Sequence, residues 1–185
     1  MELLQPQKGH LLVAEIALTG DASFGRSVVY IAEHDVVTGT VGFVLNKKID
    51  LQLSDLIPGI KLDFDIYSGG PVETQNLYFL HTIPDLLPSS LEISNGVFWG
   101  GDFDRLKEKL KKGEVPPEKI KFFLGYSGWH PQQLEDEIAL KSWIVCRNKW
   151  DIFKENDAST WKNKLINFGG EYMIWANSPK NPSHN

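Results

Sequence analysis

The sequence has little or nothing of several features that identify whole classes of protein. Cys146 is the only cysteine, which excludes an internal disulfide framework and a cysteine-rich zinc site. The longest apolar runs, such as residues 41–45, are far shorter than a membrane span. Residues 1–9 lack a basic head followed by an apolar stretch, so no secretory signal is visible. These absences predict a cytoplasmic protein without a membrane segment.

Clustered positive charge is scarce as well. The formal net charge is −5, and binding DNA through its phosphates needs a surface rich in Lys and Arg. The densest basic cluster is Lys107, Lys109, Lys111 and Lys112, which Glu108 interrupts. These lysines fall near the C-terminus of a predicted helix, where the helix dipole favours cations. We therefore expect no direct binding to nucleic acid.

The composition is that of a globular protein, with 42% hydrophobic and 23% charged residues in a chain of 185. This length favours one core, so residues 1–177 are predicted to form a single domain. Residues 178–185 contain two prolines and no apolar anchor, which predicts a disordered tail.

Runs rich in Val, Ile and Leu predict buried strands. They cover residues 11–14, 27–32, 41–45, 64–67, 76–81, 91–93, 97–99 and 142–146. Residues 35–40 are typical of a hairpin connection, and Ser94-Asn95-Gly96 of a hairpin turn.

Three helices are predicted between and after these strands. The first covers residues 103–112, with Asp102 as N-cap and Gly113 as the stop. The second begins at Pro131, with His130 as its cap. The third carries an apolar stripe around Trp161 and ends at Gly169-Gly170. Many strands with about three main helices predict an α+β, or mixed α/β, fold.

The segment Gly125-Tyr126-Ser127-Gly128-Trp129 resembles a buried strand that runs through a tight turn into the second helix. It does not match the Gly-x-Ser-x-Gly nucleophile elbow, because Trp129 occupies the position of the second glycine. We interpret Ser127 as a turn residue rather than a nucleophile. An anion or carbonyl site at the start of the helix, near Gln133, is the alternative. Trp129 and Leu134 are placed to staple the helix entry.

A second candidate region spans residues 26–34. Arg26 and Ser27 begin the predicted strand, and Glu33 and His34 end it. Glu33 and His34 could form an acid–base pair or half of a metal site. The simpler interpretation is that both side chains are exposed to solvent. The histidines show no short ligand spacing, and Gly69-Gly70-Pro71 lacks the ending of a phosphate loop. No metal and no cofactor are therefore predicted.

Taken in order, these segments resemble the YqgE/AlgH family of bacterial proteins. The resemblance runs from about Gly9 to Trp175 and rests on short motifs: Gly9-His10-Leu11-Leu12-Val13-Ala14, Phe24-Gly25-Arg26-Ser27, Glu33-His34, Gly42-Phe43-Val44-Leu45-Asn46, Tyr67-Ser68-Gly69-Gly70-Pro71, Gly96-Val97-Phe98-Trp99-Gly100-Gly101-Asp102, and Gln133-Leu134-Glu135. It implies a YqgE-like domain with a largely antiparallel, partly barrel-like sheet. It implies no established enzymatic activity, and the AlgH name carries a label of transcriptional regulator.

The leading hypothesis is a non-enzymatic protein that binds an unknown protein or small molecule, so that any regulation is indirect. The alternatives are a hydrolase or transferase that uses Ser127 with Glu33 and His34, and a direct DNA-binding regulator. We expect a monomer or a weakly associating homo-oligomer. The candidate site residues are Arg26, Ser27, Glu33, His34, Asn46, Tyr126, Ser127, Trp129 and Gln133.

Overall fold

The structure, a computed structural model, describes residues 4–154 and 157–178. Apart from Ser178, the tail predicted to be disordered lies outside the described residues. Ten strands are formed: β1 His10–Ala14, β2 Val28–Asp35, β3 Gly39–Val44, β4 Lys48–Gln52, β5 Asp65–Ser68, β6 Val72–His81, β7 Leu91–Ser94, β8 Val97–Trp99, β9 Ile120–Trp129 and β10 Trp143–Arg147. Five α-helices accompany them: α1 Leu53–Leu56, α2 Phe103–Lys112, α3 Gln133–Ala139, α4 Ala158–Ile166 and α5 Glu171–Ala176. No helix in the described ranges is long and apolar enough to cross a bilayer.

All ten strands belong to one sheet. Its main path runs β10-β1-β2-β3-β9-β6-β8-β7, and β5 joins it by pairing with both β4 and β9. Every pairing is antiparallel except that of β5 with β9. The predicted α+β class and the largely antiparallel sheet are confirmed. Because β10 and β7 end the path, the sheet in the described part of the chain is not a closed barrel.

β9 is the central strand of this sheet. Residues Phe122 to Leu124 pair with β5 on one side, and β6 runs antiparallel along the other. Further along, Ser127 pairs with Gly42 of β3 and Trp129 pairs with Thr40. β9 therefore connects the two halves of the sheet.

Gly69 lies where β3, β5 and β9 meet. Its N–H donates to the Leu124 carbonyl at 2.9 Å, and its carbonyl accepts from the Val44 N–H at 2.9 Å. A Cβ at this position would lie 2.2 Å from the Gly125 carbonyl oxygen. Only glycine allows the backbones to approach this closely.

Two apolar cores lie against the sheet. The first packs β1, β2, β3 and β10 against α3 and α4, and includes Leu12, Phe43 and Trp161. The second lies beneath α1 and α2 and includes Leu53, Leu110 and Phe122. Neighbouring residues of β9, such as Phe122 and Phe123, contribute to different cores because side chains alternate along a strand.

The first predicted helix is confirmed at both ends. The Asp102 carboxylate accepts from the Arg105 N–H, and Gly113 takes a left-handed conformation with φ 73°. The predicted hairpins are confirmed as well: Asp35 pairs with Gly39, and the turn between β7 and β8 has positive φ at Asn95 and Gly96.

The second predicted helix begins later than Pro131. α3 starts at Gln133, after Gln132 in a left-handed conformation with φ 70°. His130 is not its cap; the His130 N–H instead donates to the Gln133 side chain at 3.0 Å. Since the N-cap lies two residues further on, Trp129 is outside the position of a hydrophobic staple.

The predicted tight turn at residues 126–129 is wrong, because β9 continues to Trp129. Pairing with β3 keeps these residues extended. The local irregularity falls one residue earlier, at Gly125, whose φ of 69° accompanies a register shift against β6.

The sequence prediction omitted β4, α1 and α5. It also placed the end of the third helix near Gly169, whereas α4 ends at Ile166. α5 begins after the two glycines that were read as a stop.

Candidate functional site

Ser127 is fully buried in β9, and its hydroxyl is already used. Its Oγ donates to the Gly69 carbonyl at 2.9 Å. Because Ser127 lies inside β9, it is not a turn residue at the entry to α3, and the anion or carbonyl site at the start of that helix stays a prediction. The neighbouring Tyr126 packs edge-to-face against Tyr78, with ring centroids 5.6 Å apart.

Glu33 and His34 lie at the end of β2 and do not pair with each other. Glu33 is exposed, whereas His34 Nδ1 contacts Thr40 Oγ1 at 2.7 Å and its Nε2 lies 3.6 Å from Glu135 Oε1. β3 lies between these two residues and Ser127, because β2 pairs with one edge of β3 and β9 pairs with the other. The structure therefore does not bring together the three side chains of the predicted hydrolase alternative.

Trp129 and Gln133 meet at a carboxylate that the candidate list omitted. Glu137 Oε2 accepts from Trp129 Nε1 at 2.9 Å and from Trp143 Nε1 at 2.8 Å. Its Oε1 accepts from Gln133 Nε2 at 2.9 Å. Phe24 stacks on Trp129 and meets Trp143 edge-on. This cluster links α3 to β9 and β10, so its contacts stabilise the packing of the helix against the sheet.

Asn46 is buried and holds the start of β2. Its Oδ1 accepts from the Val28 N–H at 2.9 Å, and its Nδ2 donates to the Arg26 carbonyl at 3.0 Å. Arg26 has a φ of 56°, a conformation that these bonds help to maintain. Ser27, which lies between Arg26 and Val28 in the chain, is fully buried, and its Oγ has no hydrogen-bond partner in the described residues.

The Arg26 side chain and Asn46 line one cavity of about 370 Å³. The guanidinium lies 5.3 Å from the Trp161 ring centroid and donates to the Ser178 carbonyl at 2.8 Å. Lys47, on the same cavity, donates to the Ala22 and Ser23 carbonyls. Both cations therefore hold loops and helix ends in place.

A groove outside the predicted candidate residues lies between α1, α2 and the sheet, and we call it the α1–α2 groove. It has a volume of about 580 Å³, within the usual range for ligand sites. Its apolar lining includes Leu51, Leu56, Ile57, Leu77, Phe103 and Leu124, and two lysines of α2, Lys107 and Lys111, lie along one wall. Leu56 is 42% exposed and Phe103 is 38% exposed.

Lysines on this wall differ in their partners. Lys107 Nζ lies 2.7 Å from Asp104 Oδ1, in a pair whose carboxylate is 91% exposed. Lys111 has no carboxylate within ion-pair distance in the described ranges. The groove therefore presents an apolar floor beside positive charge.

An unpaired strand edge borders the groove. β6 pairs with β9 along one side, while β8 reaches only Leu80 and His81 on the other. Between Val72 and Tyr78, that second edge of β6 has no strand partner among the described residues. Gln75 and Leu77, which line the groove, lie on this stretch.

His81 lies inside the fold, at the end of β6. It is fully buried; its Nε2 contacts the Gly100 carbonyl at 2.9 Å, and its Nδ1 accepts from the Ile83 N–H at 3.1 Å. Burial lowers the pKa of His81, so the ring is neutral at pH 7. No group of three His, Cys, Asp or Glu side chains that could hold a metal occurs in the described part of the chain.

Comparison with known proteins places the chain among relatives of its own length. A family model described as AlgH-like (DUF179) matches residues 11–173. A UPF0301 protein of Bacteroides fragilis is 37% identical over 98% of this chain and 93% of its own length. A UPF0301 protein of Cytophaga hutchinsonii is 38% identical over 96% of this chain and 98% of its own.

Two solved structures share the fold. The solution structure of the AlgH protein from Pseudomonas aeruginosa superposes with a TM-score of 0.71 at 27% identity, covering 97% of this chain and 98% of that one. A crystal structure of a Corynebacterium diphtheriae protein gives a TM-score of 0.75 at 21% identity, covering 96% and 95% of the two chains.

Proposed function

The chain belongs to the AlgH-like family, and we propose that it is a cytoplasmic, non-enzymatic protein that binds a segment of a partner protein in the α1–α2 groove. The segment carries apolar side chains flanked by acidic residues. Any regulatory effect follows from this binding and requires no direct contact with DNA.

The exposed apolar surface of the groove is the observation that carries the proposal. Leu56 and Phe103 are both exposed although they adjoin a well-packed core. Covering apolar surface is favourable by about 25 cal/mol per Å². A concave, mostly apolar surface with a few charged groups on its wall is typical of a site that binds another molecule.

Charge identifies the kind of segment. Lys111 has no ion-pair partner in the described residues, and the Lys107–Asp104 pair is an exposed one of the kind that contributes about 0–1 kcal/mol. Lys111 can therefore turn to a carboxylate of a partner at little cost. Lys107 can do so by giving up two weak contacts, since its Nζ also lies 5.1 Å from the Phe103 ring centroid. An acidic segment fits this wall better than a basic one.

Groove shape favours a peptide over a small apolar ligand. A small ligand is usually enclosed on most of its surface, whereas this groove opens along the unpaired edge of β6. An extended segment can pair with such an edge through its backbone while its side chains enter the groove.

Three observations support the non-enzymatic and DNA-independent parts of the proposal. The Ser127 hydroxyl is bonded to a backbone carbonyl, and His34 lies beyond β3 from it. On α2, Lys109 pairs with Glu114 and Lys112 with Glu108, which reduces the positive field available to phosphates.

Peptide selection tests the proposal. A random peptide library is selected on the parent protein, and the affinity of the enriched peptides is then measured by fluorescence anisotropy. We expect apolar peptides with Asp or Glu. Leu56→Arg should weaken the binding of these peptides by roughly tenfold or more, and a tenfold loss of affinity corresponds to about 1.4 kcal/mol.

Leu140→Arg is the matched control, because Leu140 is 77% exposed at the end of α3, outside the groove. It should leave affinity unchanged, while Lys111→Glu should reduce the preference for acidic peptides. Peptides without acidic residues, or equal binding to the parent and to Leu56→Arg, would contradict the proposal.

A further inference from the structure

Lys121 is a buried lysine on the central strand. It is 5% exposed, follows Ile120 and precedes Phe122, and faces away from the core to which those two residues belong. Its Nζ lies 3.7 Å from the Tyr67 ring centroid. No hydrogen-bond acceptor or ion-pair partner contacts this Nζ in the ranges that the structure describes.

The register of the sheet places a carboxylate next to it. β5 runs parallel to β9 with Ile66 opposite Phe122, so Asp65 lies beside Lys121. Asp65 is already bonded by Lys48, at 2.7 Å, and by Gln52, at 2.9 Å. Lys121 therefore sits near a negative charge that other groups neutralise in part.

Lys121 also lines a cavity of about 230 Å³. Tyr67, Phe64 and Phe153 give it aromatic walls, and Asp63 and Asp65 lie on it as well. Hydrogen bonds from Ser54 and from Lys48 lower the pKa of Asp63 and of Asp65, respectively, so both carboxylates are charged at neutral pH.

Burial changes the state of the amine. It lowers the pKa of Lys121 to about 7, against a smaller opposing effect of Asp65. A substantial fraction of the Lys121 amines is then unprotonated at neutral pH, whereas an ordinary lysine is almost entirely protonated. An unprotonated primary amine is a nucleophile toward carbonyl carbon.

We propose that Lys121 is a covalent binding site, at which the amine forms an imine with a small uncharged carbonyl compound that enters this cavity. The Nζ lone pair attacks the carbonyl carbon, and a proton moves from nitrogen to oxygen to give a carbinolamine. Loss of one water molecule then forms the C=N bond. The sequence needs no oxidant or reductant.

Charge and shape define the class of compound. The carboxylates of Asp63 and Asp65 repel anionic carbonyl compounds such as keto acids and sugar phosphates. The rings of Tyr67, Phe64 and Phe153 favour a flat, apolar body. A neutral aromatic aldehyde therefore fits the cavity better than an anionic aldehyde of similar reactivity.

Reductive trapping tests this on the parent protein. The protein is incubated at pH 7 with benzaldehyde and cyanoborohydride, which converts the imine to a stable amine, and labelling of each lysine is followed by peptide mass spectrometry. Lys121 should be labelled roughly tenfold or more faster than exposed Lys61, because burial favours the unprotonated amine of Lys121 and the cavity holds the aldehyde beside it. Urea should abolish the difference.

Glyoxylate serves as the anionic probe. Its preference for Lys121 over Lys61 should be smaller than that of benzaldehyde, and Asp65→Asn should raise this preference more for glyoxylate than for benzaldehyde. Lys121→Arg should remove the selective adduct while labelling of Lys61 continues. Labelling of Lys121 no faster than that of Lys61, or a larger Lys121-to-Lys61 labelling ratio for glyoxylate than for benzaldehyde, overturns the proposal.

Discussion

Trp129→Ala should destabilise the protein strongly. The indole is 4% exposed, stacks on Phe24 with centroids 5.8 Å apart, and meets Trp143 edge-on at 5.8 Å. Its Nε1 also donates to Glu137. Truncating a buried Trp to Ala typically costs about 3–5 kcal/mol, a large part of the roughly 5–15 kcal/mol that stabilises a domain.

That loss can be converted into a melting temperature. In a domain of about 150–250 residues, 1 kcal/mol shifts Tm by roughly 2–4 °C, so Trp129→Ala should lower Tm by about 6–20 °C. Thermal unfolding followed by circular dichroism, with urea unfolding for the free energy, measures both quantities.

Ser127→Ala is the matched control on the same strand. It removes the Oγ bond to the Gly69 carbonyl, but that carbonyl keeps its bond from the Val44 N–H. The expected cost is only about 1 kcal/mol. If Trp129→Ala melts with the parent, or if Ser127→Ala is the more damaging change, the structural role assigned to Trp129 is wrong.

Two further predictions concern Lys121 on the central strand and Gly69, which is hydrogen-bonded to that strand. Lys121→Met should stabilise the protein by about 1–4 kcal/mol at pH 7 in urea unfolding, because it removes a buried amine. The pKa of Lys121 is about 7 in the folded state and about 10.5 in the unfolded chain, so the unfolded state binds more protons between these pH values. The free energy of unfolding of the parent should therefore rise from pH 7 to 10. Lys121→Met should lack this rise. Gly69→Ala should lower stability far more than Gly20→Ala, since a Cβ at Gly69 meets a carbonyl oxygen at 2.2 Å and one at Gly20 meets nothing within 4 Å; equal melting temperatures would refute this.

The parts of the fold that sequence reasoning predicted well are those specified by neighbouring residues. α2 was predicted over its full length because Asp102 and Gly113 act within one turn of its ends. The β7–β8 hairpin depends on Asn95-Gly96, and its strands adjoin the turn directly.

The errors occur where distant segments decide the conformation. Residues 125–129 contain two glycines and a serine, a composition typical of a turn, yet pairing with β3 keeps residues 127–129 in a strand. That partner is far away in sequence, so no local pattern reveals it. β4 pairs with β5 at only Lys48 and Gln52 around an irregular register, which weakens its signal.

The candidate site was predicted only in part. Arg26 and Asn46 do line one cavity, whereas Ser127 and the pair Glu33-His34 lie on strands that β3 separates. The α1–α2 groove was missed because its walls come from five separate elements, β4, α1, β6, α2 and β9. One local signal was present: the closely spaced leucines before Pro58, which include the exposed Leu56.

The position of β9 in the chain has a consequence for synthesis. β3, β5 and β6 all precede it, yet each uses β9 as a partner. While the ribosome has completed only residues 1–119, these strands have exposed edges and two half-covered apolar faces. Unpaired edges of this kind are the surfaces on which nascent chains aggregate. Chaperones or rapid translation therefore protect the nascent chain most before Trp129 has been synthesised. Only after that point can β9 pair with β3, β5 and β6 and cover their edges.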